Sequence, residues 1–219
     1  MYTPAHFQET DTGQLHALIA GHPLGILCTH GPGGLDANHL PFELRAQEGR
    51  LGTLQAHVAR SNPVWQELRS GDEVLVVFRA GDAYVSPQWY PSKQEQHRQV
   101  PTWNYRVVHA RGRVTIRDDE RFVRGLVGRM TRTHEADMPT PWKMSDSPRE
   151  FIDTLLQSIV GIEIEITALE GKAKLSQNKE VRDIEGAGQA LKARGAHAVG
   201  DAMLACAMAK QAGSQPGGQ

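Results

Sequence analysis

Residues 105–116, YRVVHARGRVTI, constrain the fold more than any other stretch of the chain. On an extended backbone Val108, Ala110, Gly112, Val114 and Ile116 share one side, while His109, Arg111, Arg113 and Thr115 take the other. A strand with one face on a core and one in water produces this alternation, and such strands belong to antiparallel sheets. GIEIEITAL at 161–169 repeats the pattern and sends Ile162, Ile164 and Ile166 toward a core.

The rest of the chain fits around these two strands. Leu15, Leu18 and Ile19 have helical spacing, with Asp11 as cap and Gly21 to Pro23 as stop. LGILCTH and LDANHLPFEL flank GPGG at 31–34, which reads as a hairpin turn; a phosphate-binding loop would need a following Lys-Ser or Lys-Thr. GRLGTLQAHV is a further strand. EVLVVFR and DAYVSPQWY read as hairpin partners. Phe122, Val123, Leu126, Val127 and Met130 mark an amphipathic helix. Ser147, Pro148 and Glu150 predict a capping box opening a helix that buries Phe151, Ile152, Leu155 and Leu156. The fold class expected is mainly β with helices: an antiparallel barrel with peripheral helices. Residues 180–212 read as a helical extension of one or two helices, and 213–219, GSQPGGQ, as a disordered tail.

Bulk properties exclude several classes. A chain of 219 residues builds a substantial core, and a net charge of −1 selects neither nucleic acid nor membrane. Cys28 and Cys206 are too isolated for a disulfide framework or zinc cluster. The N-terminus has no signal-peptide pattern, and the longest strongly apolar run, VLVVF, is far too short to span a bilayer. A soluble, reduced, cytoplasmic protein is expected.

Three segments concentrate polar and aromatic residues. Asn38 and His39 stand before Leu40 and Pro41 in NHLPF. In HVARSNP, at 57–63, Asn62 is a suitable N-cap and Pro63 suits the first position of a helix running through Trp65 and Leu68 to Gly71. That places Arg60 and Ser61 at the positive end of a helix, a place that attracts anions, phosphate among them. Arg60 could instead pair with Glu67. SPQWYPSK and VPTWNY contribute Trp89, Tyr90, Lys93, Trp103, Asn104 and Tyr105. The tryptophans also suit a core or an interface, and Lys93 a solvated surface. Although the chain has 10 histidines, no metal-binding spacing occurs, so His39 and His57 read as hydrogen-bonding residues. A hydrolase reading lacks its nucleophile. Residues 92–117 carry six Lys or Arg against Glu95 alone, a basic stretch or simply a solvated strand face.

The succession ANHLPF, GxLxxHVARSNPxW, AYVSPxWYPSK, VPTWNYxxVHARG, PWKMSDSP and FIDxxLxxIVGIEIxITxLEGKxKLSQN resembles the PaiB-type family of FMN-binding negative transcriptional regulators, from Met1 to Asn178. The resemblance implies an FMN-binding split β-barrel over residues 1–179 and a homodimer with FMN at the subunit interface. Arg60, Ser61 and Asn62 would hold the FMN phosphate, with His57 nearby. Asn38, His39, Leu40 and Pro41 would lie along the flavin ring edge. Trp89, Tyr90, Lys93, Trp103 and Asn104 would approach from the partner subunit or close the pocket, and Gln177 and Asn178 of the SQN motif would reach the cofactor. The chain departs at Ala173, where relatives carry a larger, often aromatic residue. Three functions remain open: a flavin-binding regulator with DNA as partner, a flavin-dependent oxidoreductase such as a flavin reductase or pyridoxamine-phosphate oxidase-like enzyme, and a protein that stores or senses FMN.

Overall fold

The computed structural model describes residues 1–214. Among them are eight strands: β1 (Gln8–Glu9), β2 (Leu24–Gly31), β3 (Gly34–Pro41), β4 (Glu43–Arg45), β5 (Thr53–Ala59), β6 (Glu73–Val85), β7 (Thr102–Arg117) and β8 (Ile159–Lys174). The helices are α1 (Thr12–Gly21), α2 (Val64–Glu67), α3 (Pro91–Gln96), α4 (Glu120–Glu135), α5 (Arg149–Gln157), α6 (Val181–Ala193) and α7 (His197–Ser214). Two compact units divide the chain. The first comprises residues 1–18, 79–108 and those from Glu170 onward, and the second residues 19–78 and 109–169.

In the second unit the strands follow the order β3-β2-β6-β7-β8-β5-β4. GPGG folds as the expected turn: β2 and β3 pair from Leu24↔Pro41 to Gly31↔Gly34, and Gly34 has φ 101°, which glycine adopts without steric penalty. The alternation in β7 and β8 is realised as read. Ala110, Val114, Ile162 and Ile164 are completely buried, each large side chain contributing about 1.5–3 kcal/mol. At Gly112 the backbones of β7 and β8 approach so closely that a Cβ would lie 2.5 Å from the Glu165 carbonyl oxygen. Asp119 caps α4, its carboxylate accepting from the Phe122 N–H at 2.8 Å. Val123 then packs with Ile152 and Leu156 of α5.

Four local expectations need correction. EVLVVFR and DAYVS are not hairpin partners but one continuous strand, β6. Its buried positions run 74, 76, 78, 80 and then 83, 85; Gly81, at φ 81°, shifts the parity as a bulge does instead of reversing the chain. The Ser147 capping box is absent. Pro148, at ψ 136°, is itself the residue before the helix, so the Ser147 hydroxyl stands one residue too far back. Helix α5 buries only the Ile152–Leu156 ridge, leaving Phe151 and Leu155 about half exposed, because a nine-residue surface helix turns one ridge inward. Finally, α2 ends at Glu67, where Leu68 becomes extended, well short of Gly71.

In the first unit β1 pairs with the end of β8. The extension forms two helices. Ile184, Ala187 and Leu191 of α6 meet Val199, Met203 and Ala207 of α7, at three- and four-residue spacing, around Val85, Tyr90 and Leu175. Ala173 packs against this cluster. Of the expected disordered tail, Gly213 and Ser214 continue α7, and residues 215–219 lie outside the described residues.

Candidate functional site

In the second unit, HVARSNP forms the turn that leaves β5. The Asn62 side-chain oxygen accepts from the Val64 N–H at 3.0 Å, and its amide donates to Asn38 Oδ1 at 2.7 Å. Asn38 in turn donates to Asp36 at 2.8 Å, so two expected site residues are joined here. Arg60 does not pair with Glu67. Its guanidinium forks onto Asp118 at 2.9 and 2.5 Å, donates from Nε to the Gln157 carbonyl at 2.8 Å, and lies over the Trp65 ring. The guanidinium beside it holds the Asp118 carboxyl below its ordinary pKa. An anion arriving at this turn therefore meets an arginine already oriented by a carboxylate. Ser61 and His39 are exposed, whereas Leu40 is buried and Pro41 closes the β2–β3 ladder. His57 has its Nδ1 enclosed without a hydrogen-bond partner, and burial pushes its pKa down, favouring neutral imidazole.

The first unit gathers a second group. Asn104 is completely buried; its amide donates to Ser176 Oγ at 2.9 Å and to Met203 Sδ at 3.2 Å, and Ser176 Oγ also meets the Tyr90 hydroxyl at 3.2 Å. Ser176 holds φ 66°, a left-handed conformation that a residue with a Cβ rarely keeps without a structural reason. The Asn104 carboxamide oxygen is buried with no hydrogen-bond partner. Tyr90, Asn104, Ser176, Asn178, Lys174 and Lys179 are among the residues around a cavity of about 230 Å³. Burial raises the Tyr90 pKa, keeping the phenol protonated as a donor. Asn178 is flanked by the Gln177 and Lys179 carbonyls, which both accept from Lys210 Nζ of α7.

The other expected residues of this unit stand apart from that cavity. Gln177 folds back onto its own strand, accepting from the Leu175 N–H at 2.8 Å. Lys93 donates to Gln88 at 3.0 Å, Trp89 lies under Arg194, and Trp103, 54% exposed, meets Tyr84 edge to face. Sequence reasoning missed Lys174, Ser176 and Lys179 as lining residues. Ser176 had a signal: it begins the SQN motif, but its short side chain drew attention to its two neighbours.

The antiparallel sheet and its helices, together with the family match, make this an FMN-binding split-barrel protein. The chain belongs to the family described as "Putative FMN-binding domain", which matches residues 1–168, and FMN is its cofactor. It is 34% identical to Uncharacterized protein AN0679 of Emericella nidulans, covering 85% of this chain and 88% of that one. The expected PaiB-type similarity is present: Protease synthase and sporulation protein PAI 2 of Bacillus subtilis is 28% identical over 84% of this chain and 85% of its own. The fold is similar to that of the FAD and heme binding protein from Mycobacterium smegmatis, with a TM-score of 0.51 and 21% identity over 76% of this chain and 73% of that one. Among the described residues no helix is long and apolar enough to cross a membrane.

Proposed function

We propose that this chain is a homodimeric, FMN-binding regulator, and that the Asn104 cavity receives the polar edge of the flavin ring. The unpartnered, buried carboxamide oxygen of Asn104 carries the reading, because leaving such an acceptor unpaired costs about 1–3 kcal/mol. The pyrimidine part of a flavin offers an N–H donor flanked by carbonyl acceptors, and the cavity supplies the matching set. Asn104 Oδ1 accepts, while the Tyr90 hydroxyl and the Lys174 and Lys179 ammonium groups donate. Bound FMN would supply a redox-active ring; the chain orients that ring and shields its polar edge from water. The Arg60–Asn62 turn is a separate candidate for FMN, through its phosphate, and that assignment is tested on its own.

Two observations support the dimer. The cavity is smaller than the roughly 300 Å³ at which small-molecule pockets begin, so one protomer encloses only part of a flavin. Val100, which lines it, is largely exposed, as side chains awaiting a partner surface are; Trp103, away from the cavity, is exposed too. For regulation, the B. subtilis relative's name links it to protease synthesis and sporulation. The exposed Arg111 and Arg113 on β7 offer a basic face for DNA. Free Cys28 and Cys206 suit the cytoplasm.

The test is a visible spectrum of the protein after FMN saturation and desalting, followed by sedimentation and titration with genomic DNA fragments at several salt concentrations. Retained flavin, a dimer mass and binding that weakens steeply with salt are expected. No saturable FMN binding would overturn the whole reading; a monomer, or no salt-sensitive DNA binding, would remove the dimer or the regulator respectively.

A further inference from the structure

The second unit contains a cleft of about 440 Å³ that none of the flavin-site residues lines. Its size falls within the roughly 300–1,000 Å³ of small-molecule sites. Four arginines reach it from three elements: Arg45 of β4, Arg117 of β7, and Arg121 and Arg129 of α4. Arg129 is held from behind, its Nε donating to Glu43 at 2.8 Å and its Nη2 to Gln55 at 2.6 Å. Arg45 is held likewise by Glu48 at 2.9 Å. Arg117 differs. Its Nε is buried without a hydrogen-bond acceptor; Glu163 forms only a loose ion pair with it at 3.7 Å, beyond hydrogen-bonding distance. Its guanidinium lies over the Phe122 ring, 5.0 Å from the centroid. Among the described residues the Arg121 side chain makes no hydrogen bond or ion pair.

The cleft's carboxylates are already engaged. Glu48 accepts from Arg45, Glu163 from Gln55 at 2.7 Å, and Asp119 caps α4. Four guanidiniums face three carboxylates in the lining, and Glu43 behind Arg129 brings the cluster to neutrality. Such a set does not suit a polyanion. It suits a single planar oxyanion that a guanidinium fork grips in two places, on a body that rests against an aromatic ring.

We propose that this cleft binds a small organic carboxylate with a planar body, its carboxylate gripped by Arg117 and Arg121 and its body lying beside Phe122. The site is independent of the flavin reading. The test uses FMN-saturated full-length protein, titrated with benzoate, its neutral isostere benzamide, and phenyl phosphate, followed by calorimetry and by the flavin spectrum. Saturable benzoate binding is expected with no change in the flavin spectrum, with benzamide at least about tenfold weaker, since a charge-assisted contact is lost. Arg117→Gln and the exposed Arg121→Gln should each weaken benzoate about tenfold while FMN retention is unchanged. Absence of saturable benzoate binding, equal binding of benzamide, binding of phenyl phosphate alone, or indifference to both substitutions would overturn the proposal. Displacement of FMN by benzoate would also overturn it, by placing the ligand in the flavin site instead.

Discussion

Replacing Asn104 by leucine should move two observables in opposite directions. In the ligand-free protein the substitution removes a neutral hydrogen bond to Ser176 and a weak one to the Met203 thioether, together worth about 1 kcal/mol. Ser176 Oγ still has the Tyr90 hydroxyl at 3.2 Å, so it is not orphaned. The same change removes a buried carboxamide oxygen that has no partner, relieving about 1–3 kcal/mol. The balance lies between about zero and 2 kcal/mol in favour of leucine, or an increase of up to roughly 8 °C in Tm for a chain of this size. With FMN the sign reverses, because the acceptor that the flavin N–H would use is gone. FMN affinity should fall about threefold to tenfold, equivalent to about 0.5–1.5 kcal/mol. Scanning calorimetry of the apoprotein and fluorescence titration of FMN read the two effects separately. A variant with unchanged FMN affinity, or one whose stability falls along with its affinity, would refute the reasoning: the first detaches Asn104 from the flavin, and the second makes it an ordinary packing residue.

Arg60→Ala should weaken FMN about tenfold or more while leaving riboflavin, which lacks the phosphate, unaffected, and Asp118→Asn should tighten FMN by releasing the guanidinium; paired titrations of the two flavins read this. Gly112→Ala places a methyl group within 2.5 Å of a carbonyl oxygen in the sheet, and should destabilise the protein by about 1–3 kcal/mol in a urea melt. The lowered pKa of half-buried His57 means that below about 6.5 the unfolded chain binds more protons than the folded one. Stability should therefore fall as pH drops from about 6.5 through the folded value, and His57→Gln should flatten that dependence when urea midpoints at pH 7.5 and 5.5 are compared.

What was legible in the sequence follows the reach of each interaction. Alternation in β7 and β8 is visible because each residue's face depends only on its parity, and the core side chains obeyed it. Gly81 was misread because Gly-Asp suits a turn and a bulge equally; only the buried residues on either side decide between them. At the candidate site, Asn62 and Asn38 were both expected, and their bond follows from neighbouring chain segments meeting. Arg60 was expected to serve an anion or Glu67, but Asp118, 58 residues away in sequence, holds it instead. Asn104 was singled out by its aromatic neighbours, while its environment is set by Ser176 and Met203, which no local pattern connects to it. Of the arginine cleft only Arg117 fell in the basic stretch singled out, since its four cations are spread over three elements.

The dependence of Asn104 on α7 also has a consequence in time. Met203 is 99 residues downstream, and Lys210, which bonds the carbonyls on either side of Asn178, is later still. At the usual pace of about 5–20 residues per second, roughly 5–20 s separate synthesis of Asn104 from synthesis of Met203. The β7 strand leaves the ribosome long before its buried amide has its last neighbour. If the flavin enters this cavity as proposed, its capture is a finishing step of biogenesis: a nascent chain stalled before α7 would carry the family-matched strands, and still lack the wall that holds Asn104 and Asn178 in place.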